Sequence, residues 1–427
     1  MLYLLYYLSA RPIRTAITTL KGFFLMINIA ILGFGVVGGG VAELLSSNKK
    51  QTLLAGGEEI NIKYILDLRD FPSSPFADKI VHNFDVILED GGIDCIIEVM
   101  GGSHPAYEYT VAALKKGISV ITSNKEVVAN FGDEFIRLAK DNNASYRFEA
   151  AVGGGIPVIS PMISCIAHNE MKEVRGILNG TTNYILTKMF SFGESFESAL
   201  KDAQDRGYAE RNPDADVLGT DAARKITILA ALATGKLVDV NLVHTEGITG
   251  IRLQDVKCAE ALGMKIKLVG RCVVEDNGAF VAVAPFMLTS DSSLYSVSGV
   301  YNAVEVDAVP LGNVMFYGQG AGAGATASAV VGDLMQIARS GVHTRAAVME
   351  KDNDFLLPFS DFVSRSYVAL DMCDRAVISE IFGNVMFISS EGECAFITDE
   401  MKEGDILARI SSLADKGISL RSRIRLL

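Results

Sequence analysis

The chain has 427 residues, of which 49% are hydrophobic and 21% charged, with 51 Asp and Glu against 39 Lys and Arg. This length predicts about three domains, and the composition excludes a chain that is disordered throughout. The formal net charge of -12 would repel nucleic-acid phosphates and anionic membranes. We therefore expect a small-molecule substrate, with no nucleic-acid partner and no membrane partner.

The N-terminal segment is apolar and mildly basic, and at Met26 the chain continues into a strand-like run. Its basic residues follow the apolar part, which is the wrong order for a secretory signal, and the apolar part is too short to span a membrane. We interpret residues 1–25 as an extension ahead of a native start at Met26. A targeting segment and a functional arm are the alternatives.

A glycine-rich motif follows the first predicted strand. Ile27 to Leu32 reads as a buried strand, and Gly33-Phe34-Gly35-Val36-Val37-Gly38 leads from it into a helix-like stretch. Glycines spaced in this way between a strand and a helix are typical of dinucleotide-binding domains. We expect Gly33 to allow the tight turn, Gly35 to admit the pyrophosphate, and Gly38 to let the helix pack on the strand.

The second predicted strand, residues 62–66, ends in Asp67, and Arg69 follows two residues later. An acid at this strand end binds the ribose hydroxyls of NAD, whereas an arginine accommodates the 2′-phosphate of NADP. Because both types are present, the choice between NAD and NADP stays open. Asp67 also lies farther from Gly33 than the usual spacing of about 20 residues, so we assign an insertion to residues 48–59.

Strands and helices continue to alternate beyond this point, which is typical of a doubly wound parallel sheet. We therefore predict a Rossmann-type NAD(P)-binding domain for residues 26–155. The further predicted elements are strand 94–100, helix 106–116 and strand 118–122.

Three residues directly after these strands are candidates for ligand binding. Gly101 follows the first of them, and Ser123 and Lys125 follow the second. The carboxyl ends of parallel strands form the ligand-binding edge in this fold. An exposed charge at the start of the next helix is the alternative interpretation of Lys125.

The turn Gly153-Gly154-Gly155 comes shortly after Glu149. An acid beside a run of exposed carbonyls could hold a hard cation such as sodium or potassium. A tight connector next to an unrelated acid is an equally good interpretation of the pattern.

The densest polar segments follow in the middle of the chain, at residues 179–184, 207–216 and 219–225. Asp221 and Lys225 are four residues apart in a predicted helix, which places both on one face. An ordinary surface ion pair is the alternative. With carboxylates from Glu210 and Asp216, this face would suit an amino-acid substrate, because acids bind its ammonium and a lysine can protonate a carbonyl oxygen.

At these motifs the chain resembles the homoserine dehydrogenases, from Ile27 to about Arg339. The resemblance implies an NAD(P)-dependent oxidoreductase that interconverts L-aspartate 4-semialdehyde and L-homoserine in threonine and methionine biosynthesis. The motifs that carry it are Gly33–Gly38, Thr122–Lys125, Phe148–Pro157, Leu178–Leu186, Gly207–Glu210, Gly219–Lys225, Tyr317–Gly322 and Thr326–Ala329.

The resemblance also implies roles for individual residues. Lys225 would be the proton donor and acceptor, and Lys125 a second active-site lysine near the nicotinamide. The implied substrate contacts are Glu210, Asp221, Asp216, Thr181 and Tyr208. The implied cofactor contacts are Gly33, Phe34, Gly35, Val36, Val37, Gly38, Arg69, Gly101, Ser123, Lys125, Gly320 and Gly322.

Three further expectations come from the resemblance. Glu149, with the carbonyls of Val152, Gly154 and Ile156, would match a monovalent-cation site for sodium or potassium. Arg69 falls where the family often has an arginine for the cofactor phosphate, but Asp67 departs from the usual apolar residue there. A homodimer or higher oligomer, built through the middle domain, is also implied.

The pattern changes from about Ser364, where short strands and two helices resemble a shortened ACT regulatory module of the ferredoxin type. The usual Asp-Arg-Pro-Gly is here Asp374-Arg375-Ala376-Val377, which leaves open whether an amino acid binds or the segment is purely structural. The predicted elements are strand 365–372, helix 373–382, strands 385–389 and 394–398, helix 404–413 and strand 418–424.

The predicted fold is thus α/β, with a Rossmann-type domain, an α+β catalytic and dimerisation domain over residues 156–345, and the ACT-like module over residues 364–427. The chain is expected to return to the cofactor domain near residues 318–340.

Two other functions compete with this interpretation. Another amino-acid dehydrogenase would not require both Lys125 and Lys225 in their motifs. A nucleotide-sensing regulator derived from the enzyme predicts altered catalytic residues, and none of the matched positions is altered. The cysteines form no Cys-x-x-Cys pair, which favours reduced thiols and a cytoplasmic protein.

Overall fold

The computed structural model describes residues 26–340 and 347–427. The predicted extension, residues 1–25, lies outside the described residues. The described chain divides into two compact units. The first unit takes residues 26–124, 135–148 and 326–340, and the second takes residues 125–134, 149–325 and 347–427.

The first unit is built on a six-stranded sheet in which the strand pairings are parallel. Its central strand, Met26–Leu32, is fully buried from Ile29 to its end, as expected for an apolar strand covered on both faces. This sheet confirms the predicted doubly wound arrangement. In spatial order the strands are Ile80–Val81, Glu59–Leu66, Met26–Leu32, Cys95–Glu98, Ser119–Thr122 and Tyr146–Arg147.

The predicted insertion, residues 48–59, contains a short helix, Lys49–Gly56, that packs within the first unit. A side chain at Gly56 would lie only 2.9 Å from the sulfur of Met335, so the backbone of this helix packs closely against the Met335 side chain. The other helices of this unit are Val36–Ser47, Phe84–Leu88 and Ala106–Lys115, together with parts of Lys125–Asp141 and Ala323–Ser340.

The second unit is built on a ten-stranded mixed sheet, of which nine strands form one continuous path. The tenth, His244–Thr245, pairs beside Gly278–Leu288. In spatial order the nine are Gly312–Gln319, Tyr301–Val309, Glu170–Ile177, Lys265–Glu275, Gly278–Leu288, Leu420–Leu426, Ser366–Asp371, Glu393–Ile397 and Met386–Ile388.

One face of this sheet is covered by the helix Thr220–Thr234, which packs against the strands Lys265–Glu275 and Gly278–Leu288. Ten of its residues are buried, among them Asp221 and Lys225, so the pair predicted to share a helix face lies inside the fold. The other helices of the middle segment are Ile159–Pro161, the π-helical turn Met162–Ile166, Gly180–Phe192, Phe196–Asp205, Asp214–Val217 and Leu253–Ala261.

The C-terminal segment has the predicted order of strand, helix, two strands, helix and strand, with each element within a few residues of its predicted bounds. Its last strand runs parallel to the strand Gly278–Leu288 and pairs Arg425 with Phe286. The segment therefore extends the sheet of the second unit instead of forming a sheet of its own. Its elements are Ser366–Asp371, Arg375–Phe382, Met386–Ile388, Glu393–Ile397, Glu403–Asp415 and Leu420–Leu426.

Within the described ranges, no helix is both long enough and apolar enough to cross a membrane.

The turn after the first strand leaves no room for a side chain at Gly38. A side-chain carbon there would lie 1.9 Å from the carbonyl oxygen of Gly33, whereas one at Gly39 would meet nothing within 4 Å. We expect Gly38→Ala to lower the free energy of unfolding by about 1–3 kcal/mol. Gly39→Ala, the matched control in the same helix, should be neutral or slightly stabilising. Thermal or denaturant unfolding of both variants measures this, and equal stability of the two would contradict the packing.

Candidate active site

The glycine-rich motif forms a tight turn from the strand Met26–Leu32 into the helix Val36–Ser47. Gly33 has a φ of +96°, which strongly favours glycine. Gly38 passes close to the Gly33 carbonyl, while the space beside Gly35 is open and Gly35 itself is exposed. The turn thus presents an uncovered helix N-terminus, which is the feature that binds phosphate in dinucleotide sites.

Asp67 and Arg69, the two residues that leave the cofactor preference open, are bound to each other. The Asp67 carboxylate accepts hydrogen bonds from the Arg69 guanidinium. It also accepts the backbone N–H of Phe34 at 2.8 Å, and this hydrogen bond stabilises the glycine turn. The Arg69 side chain, with the backbone N–H of Arg69 and of Phe34, lowers the pKa of Asp67 to about 2. An Arg69 guanidinium that binds a 2′-phosphate from here would bring the phosphate close to the negative charge of Asp67.

A buried carboxylate that the sequence did not reveal lies at the end of the strand Cys95–Glu98. Glu98 is fully buried and accepts hydrogen bonds from the backbone N–H of Met100 at 2.8 Å and from the hydroxyl of Thr122 at 2.6 Å. Burial raises its pKa. It joins the turn that contains Gly101 to the turn that contains Ser123, two of the predicted cofactor contacts.

Asn124 completes this connection within the first unit. Its backbone N–H donates to the hydroxyl of Thr122 at 2.9 Å, and its side-chain amide donates to the carbonyl of Gly102 at 2.7 Å. The two turns at the carboxyl edge of the sheet are therefore held by one hydrogen-bonded group, defined by Glu98, Thr122 and Asn124.

In the second unit, Asp221 lies between the two predicted catalytic lysines. One carboxylate oxygen accepts from the ammonium of Lys225 at 2.7 Å, and the other pairs with the ammonium of Lys125 at 2.8 Å. The side chains of Asp221 and Lys225 are 7% and 11% exposed, whereas that of Lys125 is 38% exposed. The surface ion pair that was the alternative interpretation is thus wrong for these residues, because Asp221 and Lys225 are buried.

Asn179 organises the carboxylates of this cluster. Its side-chain amide donates to Asp221 at 2.9 Å and to Asp216 at 2.7 Å, while its oxygen accepts the backbone N–H of Thr182 and caps the helix Gly180–Phe192. The neighbouring carbonyl of Leu178 accepts a second hydrogen bond from Lys225 at 2.7 Å. The sequence showed Asn179 only as part of a polar motif; its position ahead of a helix was the signal for a cap.

The charged groups of the cluster change one another's pKa values. Burial alone would raise the pKa of Asp221, but the ammonium groups of Lys225 and Lys125 outweigh it and hold this pKa well below its usual value. Burial lowers the pKa of Lys225, only partly offset by Asp221, and burial raises the pKa of Asp216. A lysine whose neutral form is more accessible than usual can exchange a proton with a bound hydroxyl or carbonyl group.

The remaining predicted substrate contacts are close in sequence to this cluster but differ in exposure. The Thr181 hydroxyl donates to the carbonyl of Tyr208 at 2.7 Å, and Tyr208 is 44% exposed. Glu210 is exposed, and its main-chain carbonyl accepts from Gln204. Tyr208 and Glu210 thus offer surface-accessible groups, while Thr181 mainly fixes the segment that carries Tyr208.

The side chain of Glu149 is already an acceptor for backbone N–H groups. Its carboxylate accepts from Val158, Ile159 and Ser160 at 2.7–2.8 Å. The three predicted carbonyl ligands, those of Val152, Gly154 and Ile156, belong to the turn that follows, in which Gly153 and Gly154 have positive φ. A cation here would therefore depend on carbonyl oxygens more than on this carboxylate.

The two glycines predicted to contact the cofactor late in the chain have different surroundings. Gly320 is buried, and a side chain there would lie 2.1 Å from the amide of Asn302, so close packing requires a glycine. Gly322 is exposed with a φ of +120°, immediately before the helix Ala323–Ser340. Packing thus accounts for Gly320, while Gly322 keeps the accessibility that a ligand contact requires.

Comparison with known proteins identifies similar sequences and folds. The family model described as homoserine dehydrogenase matches residues 157–335, and the model described as homoserine dehydrogenase, NAD binding domain matches residues 33–149. A homoserine dehydrogenase of Synechocystis sp. is 35% identical over 419 residues, which cover 91% of this chain and 96% of that one.

Two solved structures have a similar fold. The crystal structure of a homoserine dehydrogenase from Thiobacillus denitrificans matches with a TM-score of 0.86 at 31% identity and covers 95% of this chain and 99% of that chain. A hyperthermophilic archaeal homoserine dehydrogenase mutant in complex with NADPH matches with a TM-score of 0.63 at 30% identity, over 73% of this chain and 97% of that chain.

The buried group around Glu98 predicts a loss of cofactor affinity when its charge is removed. Glu98→Gln keeps the volume but loses the charge and one acceptor oxygen, so the two turns are held less firmly. We expect the dissociation constant for the reduced dinucleotide, measured by fluorescence titration, to rise about tenfold, or about 1.4 kcal/mol. Thr110→Val is the matched control, because the buried Thr110 hydroxyl has no hydrogen-bond partner among the described residues. Equal affinity of both variants would refute the connection.

Proposed function

The chain belongs to the homoserine dehydrogenase family of NAD(P)-dependent oxidoreductases, and we propose that the cluster around Asp221 is the centre at which it interconverts L-homoserine and L-aspartate 4-semialdehyde. The observation that supports this most is the placement of one buried carboxylate between two lysine ammonium groups. Such a site can bind a polar substrate and move a proton at its oxygen.

Lys225 is the proposed acid and base. When bound, the nicotinamide supplies or accepts the hydride. In the reduction direction the ammonium of Lys225 gives a proton to the oxygen of the former carbonyl, and the product is an alcohol. In the oxidation direction the neutral amine must take the hydroxyl proton. Burial lowers the pKa of Lys225, which makes both forms accessible nearer to neutral pH.

Lys125 has a different proposed task. It is the more exposed lysine and pairs with the other oxygen of Asp221. It adds positive charge where negative charge develops on the substrate oxygen.

The ammonium group of the amino-acid substrate needs anionic partners. Asp216 and Asp221 are joined through Asn179, and the exposed Glu210 lies in the segment that precedes Asp216. We therefore assign substrate binding to Asp216, Asp221 and Glu210, with Thr181 and Tyr208 supporting the same segment.

The cofactor is NAD or NADP, held at the turn Gly33–Gly38. The solved archaeal relative carries NADPH, and Arg69 is the residue in this chain that could bind a 2′-phosphate. Its pairing with Asp67 opposes that contact, whereas the Asp67 carboxylate suits the ribose hydroxyls of NAD.

A monovalent cation, sodium or potassium, is a further proposal for the turn after Glu149. The fit is partial, because the Glu149 carboxylate already accepts three backbone N–H groups. The carbonyls of Val152, Gly154 and Ile156 would be its ligands, and its effect would be to stiffen this turn.

We also propose a cytoplasmic homodimer. The strands Tyr301–Val309 and Gly312–Gln319 form one end of the ten-stranded sheet and expose Tyr301, Met315 and Tyr317 by 38–53%. A second copy of the chain would cover these apolar side chains. The six free cysteines are consistent with a reducing compartment.

The acid and base role of Lys225 predicts both activity and its pH dependence. Homoserine oxidation should rise with pH up to a pKa below the usual lysine value of about 10.4, because the neutral amine is the base. Lys225→Ala should reduce turnover at least about 100-fold and abolish this rise, while the surface variant Lys201→Ala should not. The assay follows reduced cofactor formed from homoserine and NAD or NADP.

Two outcomes would count against this function. If the unaltered protein forms no reduced cofactor with either dinucleotide, the activity is wrong. If Lys225→Ala retains full turnover, or the rate does not rise with pH anywhere below about pH 10.4 with chemistry rate-limiting, Lys225 is not the base.

A further inference from the structure

A group of charged residues, partly exposed at His244 and Glu246, lies where the last strand of the chain meets the strand His244–Thr245 and the residues that follow it. Arg425 is fully buried and donates two parallel hydrogen bonds to Glu246, at 2.8 and 2.9 Å. It also donates to Glu403 at 2.7 and 2.8 Å. We define this set, together with Arg423 and His244, as the Arg425 cluster.

The two arginines of the cluster are paired with its two glutamates. Arg423 donates to Glu403 at 2.8 Å, and the ring of His244 contacts Glu246 at 2.7 Å. The ring of Phe359 stacks on His244 and lies beneath the Arg425 guanidinium. Buried ion pairs are stable only when their geometry is well satisfied, so Arg425 holds Glu246 in one place.

Glu246 in turn begins the segment that supports the catalytic cluster. A side chain at the next residue, Gly247, would lie 2.1 Å from the carbonyl of Val217, and the backbone N–H of Ile248 donates to that carbonyl at 2.8 Å. The carbonyl of Glu246 also lies next to Gly219, which has a φ of +87°. The segment 246–248 is thus packed directly against the turn 217–219.

That turn connects the two helices that carry the catalytic carboxylates. Asp216 is in the helix Asp214–Val217 before it, and Asp221 is in the helix Thr220–Thr234 after it. The strand His244–Thr245 pairs with the sheet over only two residues. Beyond it, the backbone N–H of Glu246 donates to the carbonyl of Val283 at 2.7 Å, while Arg425 holds the Glu246 side chain.

We propose that Glu246 is a positioning residue, held by Arg425, that sets the turn 217–219 and thereby the approach of Asp216 and Asp221 to the substrate. The proposal rests on the function assigned above to the Asp221 cluster. It gives the C-terminal segment a positioning task that does not require an amino acid to bind there. Without this anchor the turn moves, and substrate binding weakens before cofactor binding does.

Glu246→Gln tests this in the full chain with little change of shape. We expect the KM for homoserine to rise about 5- to 20-fold, with the cofactor KM changed less than twofold. Arg425→Lys keeps the charge but loses the paired hydrogen bonds, and should shift the homoserine KM in the same direction. The double variant should be no worse than the poorer single variant, because both act through one contact.

Asp371→Asn is the matched control. It removes a carboxylate from the exposed ion pair with Arg421 on the same C-terminal strands, and should leave both KM values unchanged. If Glu246→Gln lowers the melting temperature but not the homoserine affinity, assayed well below that temperature, its role is structural only and the proposal is overturned.

Hydrogen exchange provides a second measurement that does not depend on turnover. Amides in residues 215–222 should exchange faster in Glu246→Gln than in the unaltered protein, and no faster in Asp371→Asn. Unchanged exchange in this segment would overturn the positioning role even if activity falls. Absence of turnover in the unaltered protein would instead overturn the proposed function, and the exchange result would still decide the role of Glu246.

Discussion

The Asp221 carboxylate, shared between the ammonium groups of Lys225 and Lys125, is the interaction on which the proposed chemistry depends. A buried lysine is costly without a nearby anion, and Asp221 reduces that cost while burial still lowers the pKa of Lys225. Asn179 and the carbonyl of Leu178 satisfy the remaining polar groups at 2.7–2.9 Å. The fold thus keeps a proton carrier in a buried position without fixing it permanently in its charged form.

In the first unit, backbone geometry shapes the turns at the carboxyl edge of the sheet. Gly33 and Gly38 are required where the chain turns back on itself, and Glu98 ties together the two turns at the edge of the sheet. In the second unit, the C-terminal segment continues the sheet and contributes Arg425 to the surroundings of Glu246. Both arrangements use the carboxylate of a glutamate, Glu98 or Glu246, next to a turn at the proposed site.

Local patterns predicted much of this structure. The glycine spacing indicated the first unit, because the motif forms a single turn. A spacing of four residues indicated the contact between Asp221 and Lys225, because residues four apart share one face of a helix. Contacts between distant residues were not predictable in this way. Asn179 reaches Asp221 across 42 residues, and Arg425 reaches Glu246 across 179. Glu98 was read only as part of an apolar strand, because its partners come from later turns.

The most direct measurement is the pH dependence of kcat for homoserine oxidation in Asp221→Asn, measured at saturating homoserine with chemistry rate-limiting. The negative charge of Asp221 raises the pKa of Lys225 against the effect of burial. Removing that charge should therefore move the alkaline rise of kcat to lower pH, although less substrate binds. A rise that stays in place or moves to higher pH would contradict the account, because Lys225 would then not be the group that exchanges the proton.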